Sequence, residues 1–107
     1  MNPEEYEGAF MMIAHAGNAK SNAMLAIRAA REGDLENAKE LLAEADKDLH
    51  SAHVTQTDML TEEARGNAVK VNIILVHAQD HLTGAMLVRD LADEFIVLYS
   101  RLATPVA

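Results

Sequence analysis

The sequence predicts an all-α protein built as an antiparallel three-helix bundle, and three observations carry that prediction. Both prolines, Pro3 and Pro105, stand at the ends, so no proline interrupts a helix between them. Two glycine-centred segments, Glu32-Gly33-Asp34 and Arg65-Gly66-Asn67, punctuate the chain. Between them apolar residues recur at steps of three and four, the period of a helix face. The expected helices run over about 4–31, 35–64 and 69–102, within one domain spanning 1–107.

The first helix carries two neighbouring stripes. One is Phe10, Ile13, Gly17, Met24 and Ile27, and the other is Ala9, Ala16, Ala19, Ala23, Ala26 and Ala30. A glycine stop at Gly33 and an N-cap at Asp34 should separate it from the second helix. That helix has a regular stripe of Leu35, Ala38, Leu42, Ala45, Leu49, Ala52, Gln56 and Met59, with Gln56 as its polar interruption. Its other face is charged (Glu36, Lys39, Glu40, Glu44, Lys47, Asp48), as a solvated surface would be.

The third helix is too apolar for a lone bundle. Ile74, His77, His81, Gly84, Val88, Leu91, Phe95, Leu98 and Leu102 form one stripe. Val71, Leu75, Ala78, Leu82, Ala85, Ala92, Ile96 and Tyr99 form a second, and Ile73, Val76 and Leu87 add a third. Between 69 and 88 the polar arc shrinks to little more than Asn72, Gln79 and Thr83. A helix apolar nearly all round is buried nearly all round, and two neighbours in a hairpin cannot do that. Oligomerisation is therefore expected.

Composition excludes several classes of function. The 17 acidic and 9 basic residues give a formal charge of −8, which repels a phosphate backbone and disfavours nucleic-acid binding. No apolar run is long enough to span a bilayer, and the acidic N-terminus is no signal peptide, so a cytoplasmic location is expected. The absence of cysteine removes disulfides, thiol nucleophiles and cysteine-based zinc sites.

The chemistry-bearing residues gather in Val76-His77-Ala78-Gln79-Asp80-His81-Leu82. At 100° per residue Asp80 lies about 60° to one side of His77 and His81 about 40° to the other. Three readings fit that spacing. The first is a polar layer inside a bundle, in which every member must be paired because burial is otherwise costly. The second is a metal site using histidines at i and i+4. It lacks the general-base glutamate of a metalloprotease, since Ala78 stands there, and it lacks the Glu-x-x-His pairs of di-iron bundles. The third is a phosphohistidine carrier, because a neutral imidazole is a competent nucleophile near pH 7.

Elsewhere, His15 suits a core hydrogen bond better than a supporting place near His77. His50 and His53, at i and i+3, could chelate a stray metal; more simply His50 is solvated and His53 joins Gln56 in a polar layer. Met11, Met12, Met24, Met59 and Met86 read first as core filler, with an adaptable partner surface as the second choice.

Three segments together resemble the lactose/cellobiose-type IIA component of the bacterial phosphoenolpyruvate-dependent sugar phosphotransferase system. They are His15-Ala16-Gly17-Asn18-Ala19-Lys20-Ser21, then Ala52-His53 with Gln56-Thr57, then Leu75-Val76-His77-Ala78-Gln79-Asp80-His81-Leu82. The resemblance implies a homotrimer, a nine-helix bundle, acting as a phosphotransferase relay component. It implies His77 as phosphoacceptor, forming a tele-phosphohistidine, with HPr as donor and a cysteine on a sugar-specific IIB component as acceptor. The IIC membrane permease would be engaged only indirectly. His81, Gln79 and His15 become candidates for supporting roles. Asp80, one per subunit, would lie on the trimer axis, where three carboxylates hold one structural magnesium ion. Thr83-Gly84 departs from the family's usual Met-Thr, and a mid-helix glycine costs about 1 kcal/mol relative to alanine. A metal-stabilised helical assembly module without phosphoryl transfer is the alternative function.

Overall fold

The computed structural model describes residues 3–102, with side chains from Tyr6 onward; Pro105 lies outside the described residues. The described chain is all-α: α1 spans Pro3–Arg31, α2 Leu35–Ala64 and α3 Ile73–Leu102. Two antiparallel turns join them, so α1 and α3 run parallel, and α1 is the common partner on which α2 and α3 both pack.

Both glycines end their helices as expected. Gly33 and Gly66 adopt φ of 86° and 91°, the left-handed conformation that glycine enters without steric cost. Each supports the same pair of closing bonds, Asp34 N–H to Ala29 with Gly33 N–H to Ala30, and Asn67 N–H to Glu62 with Gly66 N–H to Glu63. Asp34 then caps α2, its carboxylate accepting the Asn37 N–H at 3.1 Å.

The start of α3 differs from the expectation at residue 69. Asn67 does not cap α3; its backbone N–H and its side chain both bond Glu62 and close α2. The cap is Asn72, whose Oδ1 accepts the Leu75 N–H at 2.9 Å while its carbonyl accepts the Val76 N–H. The β-branched residues Val69 and Val71 therefore sit in the connection, outside the helix.

The core is a seam of alanines. Ala9, Ala16, Ala19, Ala23, Ala26 and Ala30 of α1 are all buried, facing Ala38, Ala45 and Ala52 of α2 and Ala78, Ala85 and Ala92 of α3. Small side chains let the axes approach closely, with Met12, Leu42, Leu82 and Ile96 filling the remaining space. The other apolar stripe of α1 is split: Ile13 and Ile27 pack against the core, whereas Phe10 and Met24 are exposed. Of the methionines expected inside, Met12 is fully buried and Met59 partly so. Met11, Met24 and Met86 lie on the surface because they point away from the alanine seam.

On α3 the stripe through Ala78, Leu82, Ala85 and Ile96 faces α1, and the opposite face stays bare. Ile73 is 78%, Leu87 60%, Leu98 50% and Leu102 70% exposed.

Candidate functional site

His77, Asp80 and His81 all lie on the first three turns of α3, fixed in register by the Asn72 cap. Ala78 is buried against α1 and anchors the turn, which leaves His77 and Asp80 exposed and His81 half-buried. The imidazoles of His77 and His81 meet edge to face, with ring centroids 4.4 Å apart. Their Nε2 atoms are 3.0 Å apart, within hydrogen-bond reach. For that contact to be a hydrogen bond, one Nε2 carries a proton and donates while the other accepts with its lone pair. Beside them Ile73, Ile74, Val76, His77 and Asp80 line an open depression of about 410 Å³. An exposed imidazole with an apolar rim and a neighbouring N–H is suited to nucleophilic attack on a phosphoryl group brought by a partner.

Gln79 does not face that depression. Its Oε1 accepts the Gln56 Nε2–H of α2 at 2.6 Å, and both amides are half-buried. The polar layer expected from His53 and Gln56 is thus a glutamine pair, while His50 and His53 are both exposed. Gln56 takes Gln79 as its partner because α3, opposite it, offers an amide at the same height.

His15 stands apart from His77. Its Nδ1 is 2.8 Å from Asp48 Oδ1, an α1–α2 bridge. The pairs Gln56–Gln79 and Asp46–Arg89 set the register of α2 against α3, and they put Asp48 level with about residue 87. His15 is therefore some ten residues, roughly 15 Å along the axis, from the height of His77. The hydrogen bond within the bundle, the first choice for His15, is what the structure shows, and the second choice, a place beside His77, is not where it lies in this chain.

Sequence reasoning missed Arg89. Its guanidinium bonds Asp46 of α2 through Nε at 2.5 Å and Nη2 at 3.0 Å, and it also contacts Asp93. The Asp46 bond, partly opposed by burial and reinforced by Asp93, raises the Arg89 pKa above its already high ordinary value. This fork-to-fork pair ties α2 to α3 and engages the Arg89 guanidinium within the bundle. The i, i+4 spacing to Asp93 was readable; the long-range partner Asp46 was not.

Among the described residues no group of three histidine or acidic side chains comes together to hold a metal. Asp80 alone offers one carboxylate, set in the exposed apolar face between Val76 and Leu87. A hard-ion site built from it needs copies of the chain to converge.

The whole-chain comparisons decide the family. Residues 7–100 match the family model of the PTS system, Lactose/Cellobiose specific IIA subunit. The chain belongs to that family. It is a sugar-specific IIA component, and so a phosphotransferase relay protein. The lichenan-specific phosphotransferase enzyme IIA component of Bacillus subtilis is 44% identical over 102 residues, covering 95% of this chain and 93% of that protein. The crystal structure of the cellobiose-specific enzyme IIA from Bacillus anthracis superposes with a TM-score of 0.91 at 39% identity, covering 95% of this chain and 94% of the other. The IIA of the Escherichia coli N,N'-diacetylchitobiose branch, solved in solution in complex with HPr, gives 0.81 at 35%, covering 96% and 100%. No described helix of this IIA chain is long and apolar enough to cross a membrane.

Proposed function

We propose that this IIA component is a phosphohistidine carrier serving uptake of a lactose/cellobiose-type disaccharide in the cytoplasm. His77 takes a phosphoryl group from phospho-HPr and passes it to the cysteine of a sugar-specific IIB component, which in turn serves the IIC permease. The observation that carries this reading is the His77–His81 pair, with an exposed Nε2 on His77 3.0 Å from the Nε2 of His81 beside an apolar rim. With the proton on His81 Nε2, the bond between the two rings opens as the lone pair of His77 Nε2 turns to the phosphorus. The N–P bond to HPr breaks as the new one forms on His77, and the His81 N–H is then placed to donate to a phosphoryl oxygen. In the second transfer the IIB thiolate attacks the same phosphorus, and His77 leaves as a neutral ring. The HPr complex of the chitobiose relative supports the choice of donor.

The working form is a homotrimer, a nine-helix bundle with the bare faces of α3 turned inward. Three Asp80 carboxylates would then share a poorly hydrated space, which requires a counter-ion or proton uptake. An all-oxygen set suits magnesium, and its part would be structural, lowering repulsion between the carboxylates.

The test is incubation with phosphoenolpyruvate, the general phosphotransferase enzyme and HPr, followed by intact mass. One phosphoryl group per chain, absent in His77→Ala and lost on adding the cognate IIB, is the expected result. An unchanged mass would favour a metal-stabilised assembly module without transfer.

A further inference from the structure

We infer that Gln56 and Gln79 form a positioning pair that sets the rotation of α3 and thereby the direction in which His77 presents its Nε2. The inference rests on the carrier reading above and concerns what holds the carrier histidine in place.

Around α1 the contacts that could resist rotation of α3 are weak in shape. At the height of the site the fully buried surface is made of Ala9, Ala52 and Ala78 with Met12 and Leu82, and Met59, Ile74 and Leu75 pack against it. Alanine ridges are shallow, so they hold two axes close without locking one helix about its own axis. α2 and α3 pack mainly on α1 and only lightly on each other. Among the described residues the polar bridges Asp46–Arg89 and Gln56–Gln79 cross that light contact, ten residues apart on each helix.

The glutamine bridge is the one at the site. Gln79 is two residues after His77 and two before His81, and at 100° per residue it lies about 160° round the helix from His77. It grips α2 on one flank while the histidine stands on the other. Both amides are half-buried, so separating them gives up a 2.6 Å bond that water replaces only in part. That cost adds to the packing of Leu82, Ile74 and Leu75 in opposing rotation, and it acts on the flank of α3 that faces α2. A turn of about 20° would carry a side-chain tip some 5–6 Å from the axis through about 2 Å. Misplacements of about 1 Å can lower a rate on the order of a hundredfold.

The experiment compares Gln56→Leu with Gln56→Glu in the full chain. Leucine keeps the volume and removes the bond. Glutamate keeps a bond, since the Gln79 amide can turn and donate to the carboxylate. Phosphorylation by phospho-HPr is followed in time, together with the ring signals of His77 and His81 by NMR. For Gln56→Leu the expected result is a fall of about tenfold in kcat with KM unchanged, one phosphoryl group per chain at the end point, and displaced ring signals. For Gln56→Glu both rate and signals return to within about threefold of the parent. Gln79→Leu, read in the same ways, gives the same loss from the other side and replaces Gln56→Leu if that variant does not fold. A parent-like rate with unmoved rings in the leucine variant overturns the inference, as does equal slowing by leucine and glutamate. A parent protein that phospho-HPr never labels overturns the carrier reading instead, and the ring signals of the variants then decide the positioning role.

Discussion

Two long faces of α3 carry apolar stripes and have opposite fates in a single chain. Ala78, Leu82, Ala85, Ala92 and Ile96 are buried against α1, while Ile73, Val76, Leu87, Leu91 and Leu98 stand in the open half a turn away. Size separates them. The covered face is built largely from alanine, which lets α1 come close, and the bare face carries full-sized aliphatic groups that no described residue of this chain covers. His77 and Asp80 belong to the bare side, so the candidate chemistry sits where a second surface has yet to arrive. Burial here is a property of what covers a residue as much as of the residue itself.

The sharpest way to break this comparison is at His77, with total loss as the expected effect. His77→Ala removes an exposed ring and little packing, so phosphoryl acceptance should fall to background while the thermal midpoint stays at the parent value. Acceptance retained in that variant, read by intact mass, would move the chemistry to another residue.

On the covered face the expected effect is on stability. Leu82 is fully buried, and Leu82→Ala should cost about 2–5 kcal/mol, lowering Tm by roughly 10 °C or more. A loss below about 1 kcal/mol in chemical denaturation would show that this seam collapses around small cavities.

On the bare face the effect should appear in assembly first. Leu87→Glu places a charge where copies are proposed to meet, so sedimentation equilibrium should show a monomer of unchanged helical content. A variant that remained trimeric would place the interface elsewhere.

The smallest effect is expected at Asp80. Magnesium should raise the Tm of the parent by a few degrees over chelator, and Asp80→Leu should lose that difference, because an apolar trio needs no counter-ion. An equal response in both proteins would remove Asp80 from the metal site.

What the sequence determined by itself was most of what local geometry and period govern, the start of α3 at the Asn72 cap excepted. The glycine stops at 33 and 66, the Asp34 cap and the alanine stripe of α1 were all readable, because each depends on residues within a few positions of one another. The motif around His77 was readable as a string, and the i, i+4 spacing already put His77 and His81 together. The tertiary structure decided which partner each polar group takes. Asn67 was claimed by Glu62, which left Asn72 to start α3; Gln56 chose Gln79; His15 went to Asp48, far from His77; and Arg89 reached Asp46 across 43 positions. Helix period places a side chain on a face, but the height at which two helices meet is set by partners across the seam, as Asp46–Arg89 and Gln56–Gln79 do for α2 and α3, and no single helix encodes it.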